Sequence, residues 1–202
     1  MLPHFDIATF IIEIGYVGIF SIVGAESGLF FGFFLPGDSM LFTAGILAAG
    51  HTFNLWILLL LVPLAAILGD SLGYWIGALI GPRIFTRKDS FFFNRDHVVR
   101  SKNFYTTYGP RAIVLARFIP VVRTFVPLLA GVGSMRYRTF FFYNVVGGCL
   151  WGAGVLLLGY FLGHTFPAVQ QYLLPLVLLI VIISLAPLVR EWWVHRKSKH
   201  TS

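Results

Sequence analysis

The sequence predicts an all-α integral membrane protein: two inverted repeats, each a re-entrant broken-helix hairpin plus a transmembrane helix, with a further C-terminal transmembrane helix. The first reason is composition. The 202 residues are 57% hydrophobic and 11% charged, with mean hydropathy +0.83, where a soluble domain carries about 25% charged residues. Runs such as 55–68, 140–162 and 173–188 are apolar enough for hydrocarbon. The second reason is length, because several apolar pieces are too short to cross a bilayer. The third is where Lys and Arg fall along the chain.

Residues 1–15, with Asp6 and Glu13 and neither Lys nor Arg, read as an interfacial helix. No basic n-region or cleavage site marks a signal peptide there. The membrane domain is 16–190, and its first hairpin is 16–50. An apolar arm holding Glu26 leads to Pro36-Gly37-Asp38-Ser39, where Pro36 and Gly37 break the helix and Asp38 or Ser39 caps the next one. That next helix is short, ending before the polar turn His51-Thr52-Phe53-Asn54. At about 1.5 Å per residue it falls well short of a hydrocarbon core of about 30 Å.

Residues 55–80 make a full span carrying Asp70 and the small-residue stripe Gly69, Gly73 and Gly77, which permits close helix approach; Gly81-Pro82 is read as its end. The basic loop 81–111 contains a helix-like stretch, 94–108, expected to lie on the inner membrane surface. A second hairpin, 112–134, is broken at Pro120 and again at Pro127. Spans 140–163 and 172–189 follow, then the basic tail 190–202.

The net charge is +7. If 112–134 crossed once, Arg136, Arg138 and the tail would lie outside. If it is re-entrant, the loop 81–111, both arginines and the tail all lie inside, as the positive-inside rule demands. That placement explains the basicity without a nucleic-acid partner. An internal repeat agrees: Ala44-Gly45 recurs as Ala130-Gly131, and Gly73-Tyr74-Trp75-Ile76-Gly77 as Gly159-Tyr160-Phe161-Leu162-Gly163, at one common offset, with Pro36 and Pro120 within two residues of it. A hairpin plus one span crosses once, so successive copies point in opposite directions. Broken helices in inverted repeats are a transporter signature.

The costliest stretch is Leu115-Ala116-Arg117-Phe118-Ile119-Pro120-Val121-Val122-Arg123. An arginine at membrane depth costs roughly 2.5–3.5 kcal/mol on insertion scales, so it needs a partner, water or a task. Arg117 and Arg123, six apart, would diverge by about 120° on a straight helix. The Pro120 break lets both turn toward one cavity, where they suit a phosphate-sized anion through bidentate bonds and free N–H groups. The competing reading is ion pairing with the acids. Glu26 is costly to keep charged in an apolar run unless paired, which suits a proton carrier as well as a structural pair. Asp38 reads as a helix cap or a functional acid, and Asp70 as an arginine partner or a proton-transfer group.

Other signals carry less. Gly69-Asp70-Ser71-Leu72-Gly73 fits the hydrolase pattern G-x-S-x-G, but that motif needs a strand-turn-helix elbow. Cys149 is a lone cysteine in an apolar run, and the six histidines lack ligand spacing, so no disulfide, metal or other cofactor is expected.

Glu26, Phe34-Leu35-Pro36-Gly37-Asp38-Ser39, Gly69-Asp70 with Gly73-Tyr74, and Arg117-Phe118-Ile119-Pro120-Val121-Val122-Arg123 with Ala130-Gly131 together resemble the bacterial DedA family, related to the VTT-domain lipid scramblases. Tyr143-Asn144, Trp151 and Gly159-Tyr160 extend the resemblance over nearly the whole chain. It implies a multi-pass protein of the bacterial inner membrane, with loop 81–111 and the C-terminus cytoplasmic. It also implies movement of phospholipids or a polyprenyl-phosphate carrier, dependence on proton-motive force, and functional roles for Glu26, Asp38, Arg117 and Arg123.

The expectation is therefore a lipid transporter, not an enzyme, whose partners are membrane lipids and protons or a cation; a homo-oligomer stays open. The alternative is a proton- or cation-coupled transporter of a small solute. An intramembrane lipid phosphatase would need a nucleophile and base cluster, which the sequence does not display.

Overall fold

The structure, a computed structural model, describes residues 7–28, 37–86 and 109–166. Every regular element in them is helical: α1 (Ile7–Gly28), α2 (Gly37–Ala49), α3 (Leu55–Thr86), α4 (Ala112–Ala116), α5 (Pro120–Val132) and α6 (Tyr137–Thr165). Among the described residues, three stretches are long and apolar enough to cross a membrane: Ala8–Gly28, Leu55–Gly81 and Tyr137–Thr165. The surface-helix expectation for 94–108, the last span 172–189 and the tail 190–202 lie outside the described residues, as does Pro36.

The first of the three long helices is interrupted. At Gly15 the backbone takes φ 59° and ψ −160°, a conformation open to glycine and strained for other residues. The interruption sits where the interfacial segment 1–15 was expected to give way to the first arm. Just beyond it, the Tyr16 hydroxyl accepts the Asn54 backbone N–H at 2.7 Å, and its ring meets Phe53 edge-on at 5.1 Å. The start of the arm is thereby tied to the start of α3. Asn54 also caps α3, its Oδ1 accepting the N–H groups of Trp56 and Ile57 at 2.9 and 3.4 Å.

Several boundaries differ from the sequence reading. Helix α3 does not stop at Gly81-Pro82 but runs to Thr86. Asp38 is not a cap: α2 begins at Gly37, which leaves Asp38 in its first turn with its carboxylate turned inward. The break at Pro120 is real. Arg117, Phe118 and the extended Ile119 (φ −114°, ψ 107°) separate α4 from α5, and Pro120 opens α5 with its φ already set for a helix.

Pro127 is not a break, since α5 continues through it. A proline inside a helix loses one hydrogen bond and crowds the preceding turn, but neighbouring helices hold such sites in membrane proteins. Here α5 is pressed against α3, with Pro127 opposite Gly73, whose missing side chain makes room for the ring.

The packing has an internal correspondence. Helix α2 packs most extensively on α6, and α5 on α3; α1 lies on α3, and α4 on α6. Glycines set both main crossings. A Cβ at Gly45 would strike the Leu156 carbonyl, and one at Gly159 the Phe42 carbonyl; a Cβ at Gly131 would strike the Tyr74 carbonyl, and one at Gly77 the Leu128 carbonyl. The short helices thus correspond at the expected spacing, Gly45 with Gly131. The long helices correspond through Gly77 and Gly159, one turn away from the Gly73–Gly159 match in the sequence.

Apolar side chains fill two centres. The larger gathers Ile11, Ile19, Leu41, Ile46, Leu58, Val62 and Leu156, and the smaller joins Tyr74, Ile113, Val126, Ala130 and Phe140. Outside, α3 exposes Trp56, Leu60, Leu64, Leu68, Leu72 and Leu79 along one face, a surface suited to lipid rather than water. Between the two apolar centres lies a row of charges.

Candidate functional site

Five ionisable side chains meet in this interior: Glu26 from α1, Asp38 from α2, Asp70 from α3, Arg117 from the α4–α5 break, and Arg123 from the first turns of α5. Four are almost wholly buried, with relative exposures of 2% for Glu26, 4% for Asp70, 5% for Arg117 and 9% for Arg123. Ions so removed from water need partners. They fall into two neighbouring sets.

In the first set, Arg123 serves two carboxylates. Its Nη2 donates to Glu26 Oε1 and its Nη1 to Asp38 Oδ1 at 2.8 Å. The Trp151 Nε1 donates to the same Asp38 oxygen at 2.9 Å, while the Arg123 guanidinium carbon stands 4.6 Å from the centre of the Trp151 ring. The Asp38 side chain is 27% exposed, which makes it the most accessible member of this set. Glu26 Oε2 is buried without a hydrogen-bond partner among the described residues and presses on Gly37, where a Cβ would collide with the carboxylate. The Glu26 head occupies the side-chain space of residue 37, so a larger residue there would have to move the carboxylate.

In the second set, Arg117 Nη2 donates to Asp70 Oδ2 and to Asn144 Oδ1. Asn144, fully buried, is oriented by its own Nδ2, which donates to the Ile67 carbonyl at 3.0 Å. Gly147 and Gly148 on α6 give the guanidinium its space. The Ser71 hydroxyl donates back to the Ile67 carbonyl at 2.7 Å, so the serine of the hydrolase-like motif is engaged within its own helix.

Every sequence-selected charge therefore lies in the interior, and the Pro120 break does turn both arginines inward. It does not give them the same partners. Glu26 and Asp38 go with Arg123, and Asp70 goes with Arg117. The helix-breaking residues frame this arrangement: Gly37 supports Glu26, Pro120 starts the helix bearing Arg123, and Pro127 sits one turn beyond it.

Asn144 and Trp151 were part of the family resemblance, without assigned roles. A sequence signal for them existed. A buried amide within an apolar span is costly unless it has a task, and Trp151 follows it by seven residues, two helical turns along one face of α6. No group of three or more His, Cys, Asp or Glu able to hold a metal occurs among the described residues.

Comparison with known proteins places these residues in context. The VTT domain model matches residues 35–161. Protein DedA of Escherichia coli is 41% identical over 202 residues, covering 96% of this chain and 92% of its own length. An uncharacterized membrane protein of Mycobacterium leprae is 43% identical over 182 residues, covering 90% of this chain and 81% of its own. Inner membrane protein YqjA of Escherichia coli is 33% identical over 174 residues, covering 82% and 79%. No solved structure gives a significant match.

Proposed function

Since this chain belongs to the VTT-domain family, as one of its DedA-type members, we propose that it moves a lipid phosphate, such as polyprenyl phosphate or a phospholipid, between membrane leaflets. The observation that carries this reading is Arg123, a buried cation shared by two carboxylates, one of them partly exposed. Two oxygens of a phosphate can accept from the two N–H ends of one guanidinium, a bidentate match. It can displace Asp38 while Glu26 still neutralises Arg123, so the arginine is never left bare in hydrocarbon. Arg117 lines the same interior and acts as a second cation for the headgroup once Asp70 yields.

The acids give the cycle a driving force. Protons reaching Glu26, Asp38 or Asp70 weaken their hold on the arginines, and a charge moved through 100 mV is worth about 2.3 kcal/mol. This reading puts the chain in a bacterial inner membrane, supported by the location in the printed name of YqjA, and puts loop 81–111 and the C-terminus in the cytoplasm. Its repeats are read as inverted and its short helices as re-entrant. In support, α2 and α5 have 13 residues each, about 20 Å of helix against a core of about 30 Å. The exchanged packing of α2 on α6 and α5 on α3 agrees with a two-fold relation.

The test is leaflet exchange of a labelled lipid phosphate by purified protein in vesicles, with and without a proton gradient. Wild type should accelerate exchange and Arg123→Ala should not. Exchange by Arg123→Ala at the wild-type rate would refute the site. Uptake of a small solute, indifferent to competing lipid phosphate, would replace the lipid reading with the coupled-solute one. Membrane-impermeant thiol labelling at Asn54, Tyr108 and Thr165, in a Cys149→Ser background, tests the topology: Asn54 and Thr165 should react from one side and Tyr108 from the other.

A further inference from the structure

Trp151, a neutral side chain of the interior, touches both members of an ion pair. Its indole N–H donates to Asp38 Oδ1, and its ring face lies 4.6 Å from the Arg123 guanidinium. Asp38 Oδ1 thus has two donors, at 2.8 Å from Arg123 and 2.9 Å from Trp151. The side chain is 4% exposed and projects from α6, a different helix from those bearing Asp38 and Arg123.

Separating a buried arginine from its carboxylate normally strands two charges. Here the separation strands neither. When Arg123 turns to an incoming phosphate, Asp38 retains the indole N–H, a hydrogen bond to a charged acceptor. The guanidinium retains the π face, whose attraction for a cation strengthens on removal from water. Glu26 continues to face Arg123 from α1. The remaining charged groups nearby, Asp70 and Arg117, are occupied with each other and with Asn144.

We propose that Trp151 is the positioning residue of the exchange: it holds Asp38 and Arg123 separately so that a phosphate group can come between them. This rests on the reading of Arg123 as a phosphate site. It adds that the indole N–H works through Asp38, so removing the N–H matters only while Asp38 carries charge.

The experiment measures affinity for phosphatidic acid or polyprenyl phosphate in nanodiscs of neutral lipid, with inorganic phosphate as a second arm. Trp151→Phe, which keeps a ring face and loses the donor, should bind about tenfold more weakly, the scale of one hydrogen bond to a charged group. Trp151→Leu, losing both contacts, should bind more weakly still. In an Asp38→Asn background, Trp151→Phe should change affinity by less than about twofold. A merely structural tryptophan would lower thermal stability and leave this coupling at zero. As a readout inside the intact site, a protein retaining Trp151 as its one tryptophan, with Trp56, Trp75, Trp192 and Trp193 changed to Phe, should show a saturable emission shift with the phosphate lipid and none with neutral lipid.

Wild-type affinity in Trp151→Phe, an equal loss with Asp38→Asn as without it, or a silent Trp151 emission beside measured binding would overturn the proposal and leave the phosphate site standing. Wild-type protein that binds no phosphate would overturn both. A response to inorganic phosphate alone would support Trp151 and overturn the lipid as the source.

Discussion

Arg117 and Arg123 are six residues apart, both flank Pro120, and both are buried, yet they keep different company. Arg117 faces one carboxylate, Asp70, and one neutral amide, Asn144. Its set is balanced in charge, although the buried Arg117 Nε has no hydrogen-bond partner among the described residues. Arg123 faces two carboxylates and an indole, and one of those carboxylates is partly exposed. Its set has a carboxylate to spare. A balanced buried pair strands a charge when it gives up a member, unless the freed acid is protonated, whereas a cation with two anions can exchange one and stay paired. The comparison assigns holding the bundle together mainly to the Arg117 set, and exchange mainly to the Arg123 set.

The largest effect should follow from breaking the balanced pair. Asp70→Leu leaves Arg117 uncompensated between α3 and α6 and should cost roughly 3–5 kcal/mol of stability, the range for one partner lost from a buried pair. Thermal melting in detergent would read it. Replacing both members, Asp70→Leu with Arg117→Met, should recover most of that loss, because two apolar side chains of similar volume need no partners. If the double variant also transports lipid phosphate, Arg117 is scaffold; if it folds and does not, Arg117 joins Arg123 in binding.

Next comes the spare carboxylate. Glu26→Gln keeps the shape beside Gly37 and leaves Arg123 paired with Asp38, so stability should change by less than about 1.5 kcal/mol, well below the Asp70→Leu loss. Its effect should fall on transport and its response to a proton gradient. A stability loss as large as that of Asp70→Leu would erase the distinction between the two sets. Asn144→Ala should sit between these, at about 1–3 kcal/mol, since it leaves Arg117 a partner in Asp70 but removes the amide that fixes the guanidinium.

Much of this was legible in the sequence, for identifiable reasons. Helices α3 and α6 announce themselves by long apolar runs, and the five charges by their cost in such runs. The break at Pro120 was legible because proline and two arginines coincide there. The partners were not. Which carboxylate meets which arginine depends on α3 and α6 crossing the short helices at Gly77, Gly131, Gly45 and Gly159. The one-turn displacement of those crossings from the repeat shows that sequence similarity between glycines fixes no register. Trp151 and Asn144 escaped assignment because an amide or an indole in a span costs less than a charge and was overshadowed by the five charges, although their spacing puts both on one face of α6.

The smallest expected effect concerns Pro127, and it sharpens the same comparison. In a regular helix the N–H of residue 127 would donate to the carbonyl of residue 123. Proline has no N–H, so the Arg123 carbonyl cannot receive that bond, even though α5 runs on unbroken. Pro127→Ala restores the donor opposite Gly73, where the smaller side chain fits. Stability should therefore rise or hold within about 1 kcal/mol, on the usual scale for proline–alanine exchanges at tolerant sites. If the Arg123 side chain alone handles the phosphate, exchange should proceed at the wild-type rate. A folded, stable Pro127→Ala protein with impaired exchange would extend the phosphate site from the Arg123 guanidinium to its backbone. It would also explain a proline one turn past Arg123 inside a helix that runs on unbroken.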